Sequence, residues 1–426
     1  MIPWQLHCWV RPTPIGPTSK TIQVESGQES LIRRLDETIK SLYTGSENLN
    51  KTMRVLGIVP ALYDTSPGQR YRIEQWEPIL SKYGVEITYE PFECEDLHTL
   101  LYKSGHLRRK LKLVANALAR RTSLMRSVGN FDLVYVFREA ALLGPAFFER
   151  WISRAGIPMV FDFDDAIFVS YKSPSNGYVS YLKFAGKTGN ICRLASQVMV
   201  GNPYLADYAT KFNSRVTVVP TTIDTSKYQP QRKENADPPV IGWTGSYSTV
   251  QHLDTLRVAL EKLASRERFH LRVIGTPEYA AVQGLQIDAM PWRAATELED
   301  LREIDIGVMP LPDDDWSKGK CGLKALQFMA LGIPTVCSPV GVNTEIIQDG
   351  ANGFIARTEE EWIEKLTQLL RSSELRSRLG DAGRKTVEEK YSAETQAPRV
   401  YEILKSVVRN AGISERAVGK SQSATG

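Results

Sequence analysis

From Met53 onward, short apolar stretches that read as strands alternate with stretches of helical periodicity, and the alternation runs twice. The first round has strand candidates at Arg54–Val59, Glu86–Tyr89, Leu133–Phe137, Pro158–Phe163, Gln197–Val200 and Val216–Val219. Helical patterns lie between them, around Arg70–Lys82, Leu97–Ser127, Leu142–Ala155, Gly177–Ala195 and Pro203–Phe212. A polar, proline-rich stretch, DTSKYQPQRKENADPP, then breaks the pattern. The second round has strands at Val240–Trp243, His270–Ile274, Ile306–Met309 and Thr335–Ser338, with helices at Thr249–Ser265, Ala295–Glu303 and Cys321–Leu331. A last helix is expected at Ala393–Val408. Apolar strands separated by amphipathic helices predict α/β architecture with parallel, doubly wound sheets, whose ligands bind beyond the strand C-termini.

These boundaries divide the chain into an N-terminal extension (1–52), a first Rossmann-like domain (53–222), a linker (223–238), a second Rossmann-like domain (239–392), a C-terminal helix (393–411) and a tail expected to be disordered (412–426). The extension carries one helical pattern, around Glu29–Tyr43. At 426 residues and 42% hydrophobic content the chain has ample material for two cores. Its net charge of +4 is too mild to argue for nucleic acid, and none is expected as a partner. The five cysteines are scattered, with no CxxC pair, which argues against a zinc site or a disulfide framework and fits a reducing compartment. No apolar run is long enough to span a bilayer, and the start lacks the basic region of a signal peptide. The expected location is cytoplasmic.

Two segments carry chemistry. In KCGLKALQFMALGIP (320–334), Gly319 and Gly322 open a helix that stops at Gly332 and Pro334. Lys320, Lys324 and Gln327 fall on one face of it, and the glycines let a ligand approach the positive helix start, an arrangement suited to a diphosphate. Its alternative is a core helix whose lysines reach solvent. Residues 97–131 contain eight cations, among them Lys103, Arg108, Arg109, Arg120, Arg121 and Arg126, and no acid. Leu107, Leu111, Val114 and Leu118 form an apolar stripe among them. Such a helix can pack the stripe on its own sheet. The unbalanced charge over 103–126 also suits an anionic membrane surface, which would make the protein peripheral on the inner face of the membrane.

Taken with the double alternation, the segment KCGLKALQFMALGIPTVCSPVGVNTEIIQDGANG resembles the nucleotide-sugar signature of the retaining glycosyltransferase family 4, whose members have the GT-B fold. The resemblance covers roughly Met53 to Val408. It implies two Rossmann-like domains facing a central cleft. It also implies transfer of a sugar from a nucleoside-diphosphate-sugar donor to a glycan or lipid-linked acceptor, with retention. No cofactor and no metal are implied, the donor being a substrate. The family's two signature glutamates are absent: Gly319 stands at the first and Gln327 at the second. The family's Arg and Lys after the first strand of the second domain are also absent, since Trp243 and Thr249 stand there, flanking Gly245 and Ser246. Lys320 and Lys324, with Cys321 and Gly322 between them, are expected to supply that charge from the helix.

In the first domain, SPGQRYR (66–72) resembles the family's glycine-rich loop, with Gly68 and Gln69 facing the donor and Arg70 or Arg72 pairing with phosphate. A turn carrying surface arginines is the alternative. Asp164, in DFDDAIF, stands where the family often has a histidine near the transferred sugar. It is the expected catalytic group together with Lys324. Its alternative is a carboxylate paired with Arg138, which is itself expected to line the donor site. Glu345 matches a common family acid, with helix capping as its other reading. The Asp-x-Asp of DFDDA and the run Asp313–Asp315 are read as non-metal sites. A non-catalytic sugar-nucleotide-binding or scaffold module and a GT-B epimerase are the competing functions.

Overall fold

The computed structural model describes residues 52–101, 105–169, 186–231, 237–246, 249–280 and 282–422. The extension expected at 1–52, with its helical pattern, lies almost wholly outside these residues. The twofold alternation becomes two six-stranded parallel sheets. The first holds β1 (Met53–Val59), β2 (Val85–Pro91), β3 (Leu133–Phe137), β4 (Met159–Phe163), β5 (Gln197–Val200) and β6 (Val216–Val218), in the order β2-β1-β3-β4-β5-β6. The second holds β7 (Val240–Thr244), β8 (His270–Ile274), β9 (Gln286–Met290), β10 (Ile306–Met309), β11 (Thr335–Cys337) and β12 (Phe354–Ile355), in the order β12-β11-β10-β7-β8-β9.

The central strands β3 and β4 are buried at every residue, which is why β3 reads as an unbroken apolar run and β4 as one interrupted only by Asp162, itself paired with Arg72. β9 (QIDAM) is half exposed and polar, and β12 has two residues. Neither carries an apolar run, so the alternation reveals neither.

The helices of the described residues include α1 (Gln75–Lys82), α2 (Glu95–Leu101), α3 (Leu107–Leu124), α4 (Phe147–Arg154), α5 (Glu297–Arg302), α6 (Leu323–Ala330) and α7 (Ala393–Gln422). α2, α3 and α4 pack on one face of the first sheet, with Leu97, Val114, Leu118, Phe148 and Ile152 in a common core. Across the sheet, Ala397, Val400 and Leu404 of α7 pack with Trp76 and Leu80 of α1 on Val55 and Tyr135. The last helix therefore belongs to the first sheet's core. It also runs on to Gln422, so residues 412–422 are helical rather than the expected disordered tail. The chain's two crossings between domains lie side by side: Ile223 N donates to Tyr391 O at 2.8 Å and Ala393 N to Ile223 O at 2.9 Å.

Strand order locates the site. The connections leave β1 for β2 on one side and return to β3 on the other, so the first sheet reverses between β1 and β3. The second reverses between β7 and β10. Crevices open beyond the strand C-termini at such reversals.

Candidate donor site

A cavity of about 500 Å³ lies where the two reversals meet. From the first domain it is lined by Gly68, Tyr71, Arg138, Asp164 and Asp165; from the second, by Gly245, Ser246, Gly275, Trp292, Glu297, Lys320–Lys324 and Gln327.

On the first-domain side, Arg138 follows β3 with a left-handed backbone (φ 59°), which turns its side chain back across the strand end. Its Nε donates to Asp164 Oδ1 at 2.8 Å. Asp164 is thus the arginine-paired carboxylate of its alternative reading, and the pair forms part of the cavity wall. Gly68 packs directly against it: a Cβ there would lie 2.5 Å from Arg138 Nη2 and 2.8 Å from Asp164 Oδ2.

The other loop candidates are corrected. Gln69 is buried and spans Ala61 N and O, at 3.2 and 3.1 Å, while donating to Glu74. Arg70 is held by Asp64 at 2.7 Å and Glu297 at 2.9 Å. Arg72 is fully buried against Asp162, with Tyr135 OH on the same carboxylate. None of the three lines the cavity. The motif promises an arginine for phosphate, but carboxylates distant in sequence have taken both guanidinium groups.

On the second-domain side, Gly245 directly follows β7 and Gly275 directly follows β8, the latter at φ 110°. A Cβ on Gly275 would fall 1.8 Å from Gly245 O, so the two strand ends close on each other only without one. Exposed Ser246 follows, its N–H donating to Thr249 Oγ1 at 3.0 Å.

The segment 319–327 is not one helical stripe. α6 starts at Leu323, with Gly322 left-handed (φ 72°) as its N-cap. Lys320 lies before it and donates to Asp165 of the first domain at 3.0 Å, its ammonium 4.1 Å from the Trp316 ring centroid. Lys324 is half-buried above Trp243, 5.6 Å from the ring centroid. Burial, and then the like charge of Lys320, hold its amine down at about 8. Cys321 is buried with its thiol pushed up, above all by burial, and donates to Asp164 O at 3.1 Å. Gly319 is outside the cavity wall: a Cβ there would meet Ala166 Cβ of the first domain at 2.5 Å, so it serves interdomain contact. Glu345 is exposed and also outside the wall, because its short helix (Asn343–Ile346) turns Asn343 and Ile346 inward instead.

Gln327 is buried at the back of the cavity in a polar cluster with Tyr71, Tyr228 and Glu297. Sequence reasoning misses Glu297, Trp292, Tyr71, Asp165 and Gly275. Their only signal is position just after a strand or at a helix start.

The acidic runs are committed elsewhere. Asp162 is paired with Arg72, and Asp313 lies 3.2 Å from Lys318. Asp314 caps the helix Asp315–Lys318, accepting from Ser317 N at 2.7 Å. Among the described residues no three His, Cys, Asp or Glu side chains cluster as a metal site.

Two parallel doubly wound domains with a cavity between their strand C-termini define the GT-B architecture, and solved structures agree. Sucrose-phosphate synthase from Thermosynechococcus elongatus superposes with TM-score 0.61 at 13% identity, over 84% of this chain and 100% of that one. A glycosyltransferase from Rickettsia africae ESF-5 gives 0.60 at 15%, over 84% and 100%. Anabaena Alr3699/HepE, in complex with UDP and glucose, gives 0.56 at 13%, over 83% and 100%. Residues 238–372, which make up most of the second domain, match the family model "Glycosyl transferases group 1". Spore coat protein SA of Bacillus subtilis (strain 168) is 39% identical over 84 residues, which are 19% of this chain and 21% of that protein. The chain thus matches about a fifth of that curated relative's length.

Proposed function

We propose that the protein transfers a sugar from a nucleoside-diphosphate-sugar donor to a glycan or lipid-linked acceptor, with retention. The observation that carries this reading is the meeting of Lys320 and Lys324 with the glycine ends of β7 and β8 in one interdomain cavity. Cations and glycine-backed strand ends suit a diphosphate, and they stabilise it most as it departs with growing charge. Retention is supported by the state of the carboxylates. Asp164, Asp165 and Glu297 are each held by a cation, respectively Arg138, Lys320 and Arg70. None stands free as the base that an inverting attack would use, whereas in front-face transfer the departing phosphate oxygen takes the acceptor's proton. Asp164 is then placed to steady positive charge on the sugar, oriented by Arg138.

The test is a thermal-shift panel of UDP, GDP and ADP with their glucose conjugates. A ligand at about 100 times its Kd should stabilise by ~2.7 kcal/mol. No shift with any of them would remove the donor reading. Turnover only in the presence of acceptor separates transferase from epimerase, and binding without turnover marks a scaffold. We further propose that the chemistry is metal-free, with the lysines in the metal's place. Turnover should survive chelation and dialysis; loss restored by Mn²⁺ or Mg²⁺ would contradict this.

The acceptor side is read from α3. Arg120 donates to Pro91 O and Phe92 O at 3.0 and 2.9 Å, and Arg121 to Ala140 O at 3.1 Å. Pro91 ends β2, and Phe92 and Ala140 follow β2 and β3, so these bonds anchor the C-terminal half of α3, Val114 and Leu118 pack on the core, and the exposed part is the helix's first two turns. Leu107 and Leu111 are 63% and 58% exposed there, among Arg108, Arg109 and Lys112. Phe147 of α4 is 54% exposed beside Arg150 and Arg154. This apolar and cationic surface is the proposed contact with an anionic bilayer bearing the acceptor, on the cytoplasmic side. No helix among the described residues is long and apolar enough to cross a membrane.

A further inference from the structure

Asn202 stands two residues past the end of β5, after Gly201, and only 1% of it is exposed. Its side chain bonds in two directions. Oδ1 accepts from Leu205 N at 2.9 Å and so caps the helix Pro203–Ala209. Nδ2 crosses to the second domain and donates to Lys318 O at 3.2 Å and to Lys320 O at 3.0 Å. An amide carries an acceptor and two donor hydrogens in one planar group. Serine, threonine and aspartate also cap helices, but a hydroxyl has one hydrogen to give and an ionised carboxylate has none.

The two carbonyls lie in the turn between the helix Asp315–Lys318 and Gly322, where the chain has left one helix and not yet entered α6. Carbonyls at a helix end have no partner within the helix, so a donor from elsewhere decides how such a turn stands. The same turn meets the first domain again and again. Cys321 Sγ donates to Asp164 O at 3.1 Å and packs in the first sheet's core, over Gly201, where a Cβ would lie 2.3 Å from the sulfur. Gly319 lies on Ala166, and Lys320 Nζ donates to Asp165. By Ala325 and Leu326 the chain is back in the core of the second domain, with Met309 and Cys337. Residues 318–321 thus belong to the second domain in sequence and are held by the first.

We propose that Asn202 is a positioning residue for the transfer: by holding the carbonyls on either side of Gly319 it fixes where Lys320 stands. The first domain then sets the place of a cation that the second domain presents to the donor diphosphate. This rests on the donor reading above. Lysine is a point charge on a flexible four-carbon stem. Asp165 and the Trp316 ring hold the tip of that stem, and the Asn202 amide holds its root. With the root released, the ammonium keeps Asp165 and loses the position from which it meets a phosphate.

The test is a double-mutant cycle between Asn202→Ser and Lys320→Met, read as UDP and GDP affinity by calorimetry on the full chain, with ligand-free Tm as a folding control. Serine keeps the cap acceptor and is too short to reach either carbonyl. Asn202→Ser should weaken the nucleotide that wild type binds by about tenfold, and by less than about twofold once Lys320 is methionine. Losses of equal size in the two backgrounds would overturn the proposal, because a residue that only caps its helix or stiffens the domain contact acts whether or not Lys320 is present. Unchanged affinity in Asn202→Ser would overturn it too. Asn202→Thr, which also caps and fills more of the space left by the amide, carries the same cycle where the serine protein does not fold. A wild type that binds neither nucleotide would instead overturn the donor reading.

Discussion

Lys324 shows how a single side chain can work against the fold and for the ligand. Its amine is held at about 8, chiefly by burial and then by Lys320. The folded state therefore binds this proton more weakly than the unfolded chain, whose lysine titrates near 10.4, so stability rises with pH between about 8 and 10.4. At neutral pH the charged amine costs stability, and a diphosphate would offset that cost. Lys324→Met should lower donor kcat/KM by about tenfold to a hundredfold, the worth of one charge-assisted contact. Because Lys324 packs on Trp243, the same substitution should raise the ligand-free Tm at pH 7. A lower Tm with unchanged kinetics would mean that the lysine is structural. His252, also buried, is held down at about 4, by burial first and then by Lys324 and Lys320. It is neutral at pH 7 and adds no charge to the site.

The sequence displays the cations but not their partners. Lys320 finds Asp165, Arg70 finds Glu297 and Arg72 finds Asp162, each across a long stretch of chain. Local reading therefore counts arginines as available when they are occupied. Gln327 looks like a missing acid because its acid, Glu297, lies thirty positions upstream on another element.

Among elements, α3 divides into two functional halves. Its C-terminal half is structural: Arg121 is 3% exposed, donates to Ala140 O and Glu90 O, and is pushed down to about 10 by burial. Its first two turns carry exposed leucines and cations. Reversing Arg108, Arg109 and Lys112 to Glu should release the protein from vesicles of anionic lipid and leave Tm unchanged. Vesicle binding equal to wild type would rule out α3 as the membrane contact. Arg121→Glu should instead unfold the domain, at a cost of about 3 kcal/mol or more, by placing a carboxylate among backbone carbonyls.

Nothing local in the sequence marks this division, because buried Arg121 looks like its exposed neighbours. Leu107 and Leu111 fit the apolar stripe of a packed helix, yet only Val114 and Leu118 reach the core. The buried strands β3 and β4 are legible because every residue is apolar or internally paired. β9 and β12 are not, since an edge strand needs no such run.

For the whole molecule, the twofold alternation carries most of the information. It predicts two parallel sheets, and the sheet reversals then place the cavity independently of any motif. What sequence order conceals is the return of α7 to the first sheet, and the bonding of Ile223 to Tyr391 and Ala393 where the chain crosses between domains. The cavity wall draws on both domains, with Asp165–Lys320 and Arg70–Glu297 as ion pairs spanning them. Donor binding should therefore depend on the domains standing together, and the charge that binds the diphosphate should be shared by Lys320 and Lys324.

Proton uptake on UDP binding, measured by calorimetry at pH 8.5 in buffers of differing ionisation enthalpy, probes that charge itself. A diphosphate raises the Lys324 amine back toward its ordinary range, so wild type should take up a substantial fraction of a proton, with affinity falling as pH rises above about 8. Lys324→Met should take up much less. UDP binding with no uptake in wild type, or with equal uptake in both proteins, would contradict a diphosphate site built on Lys324.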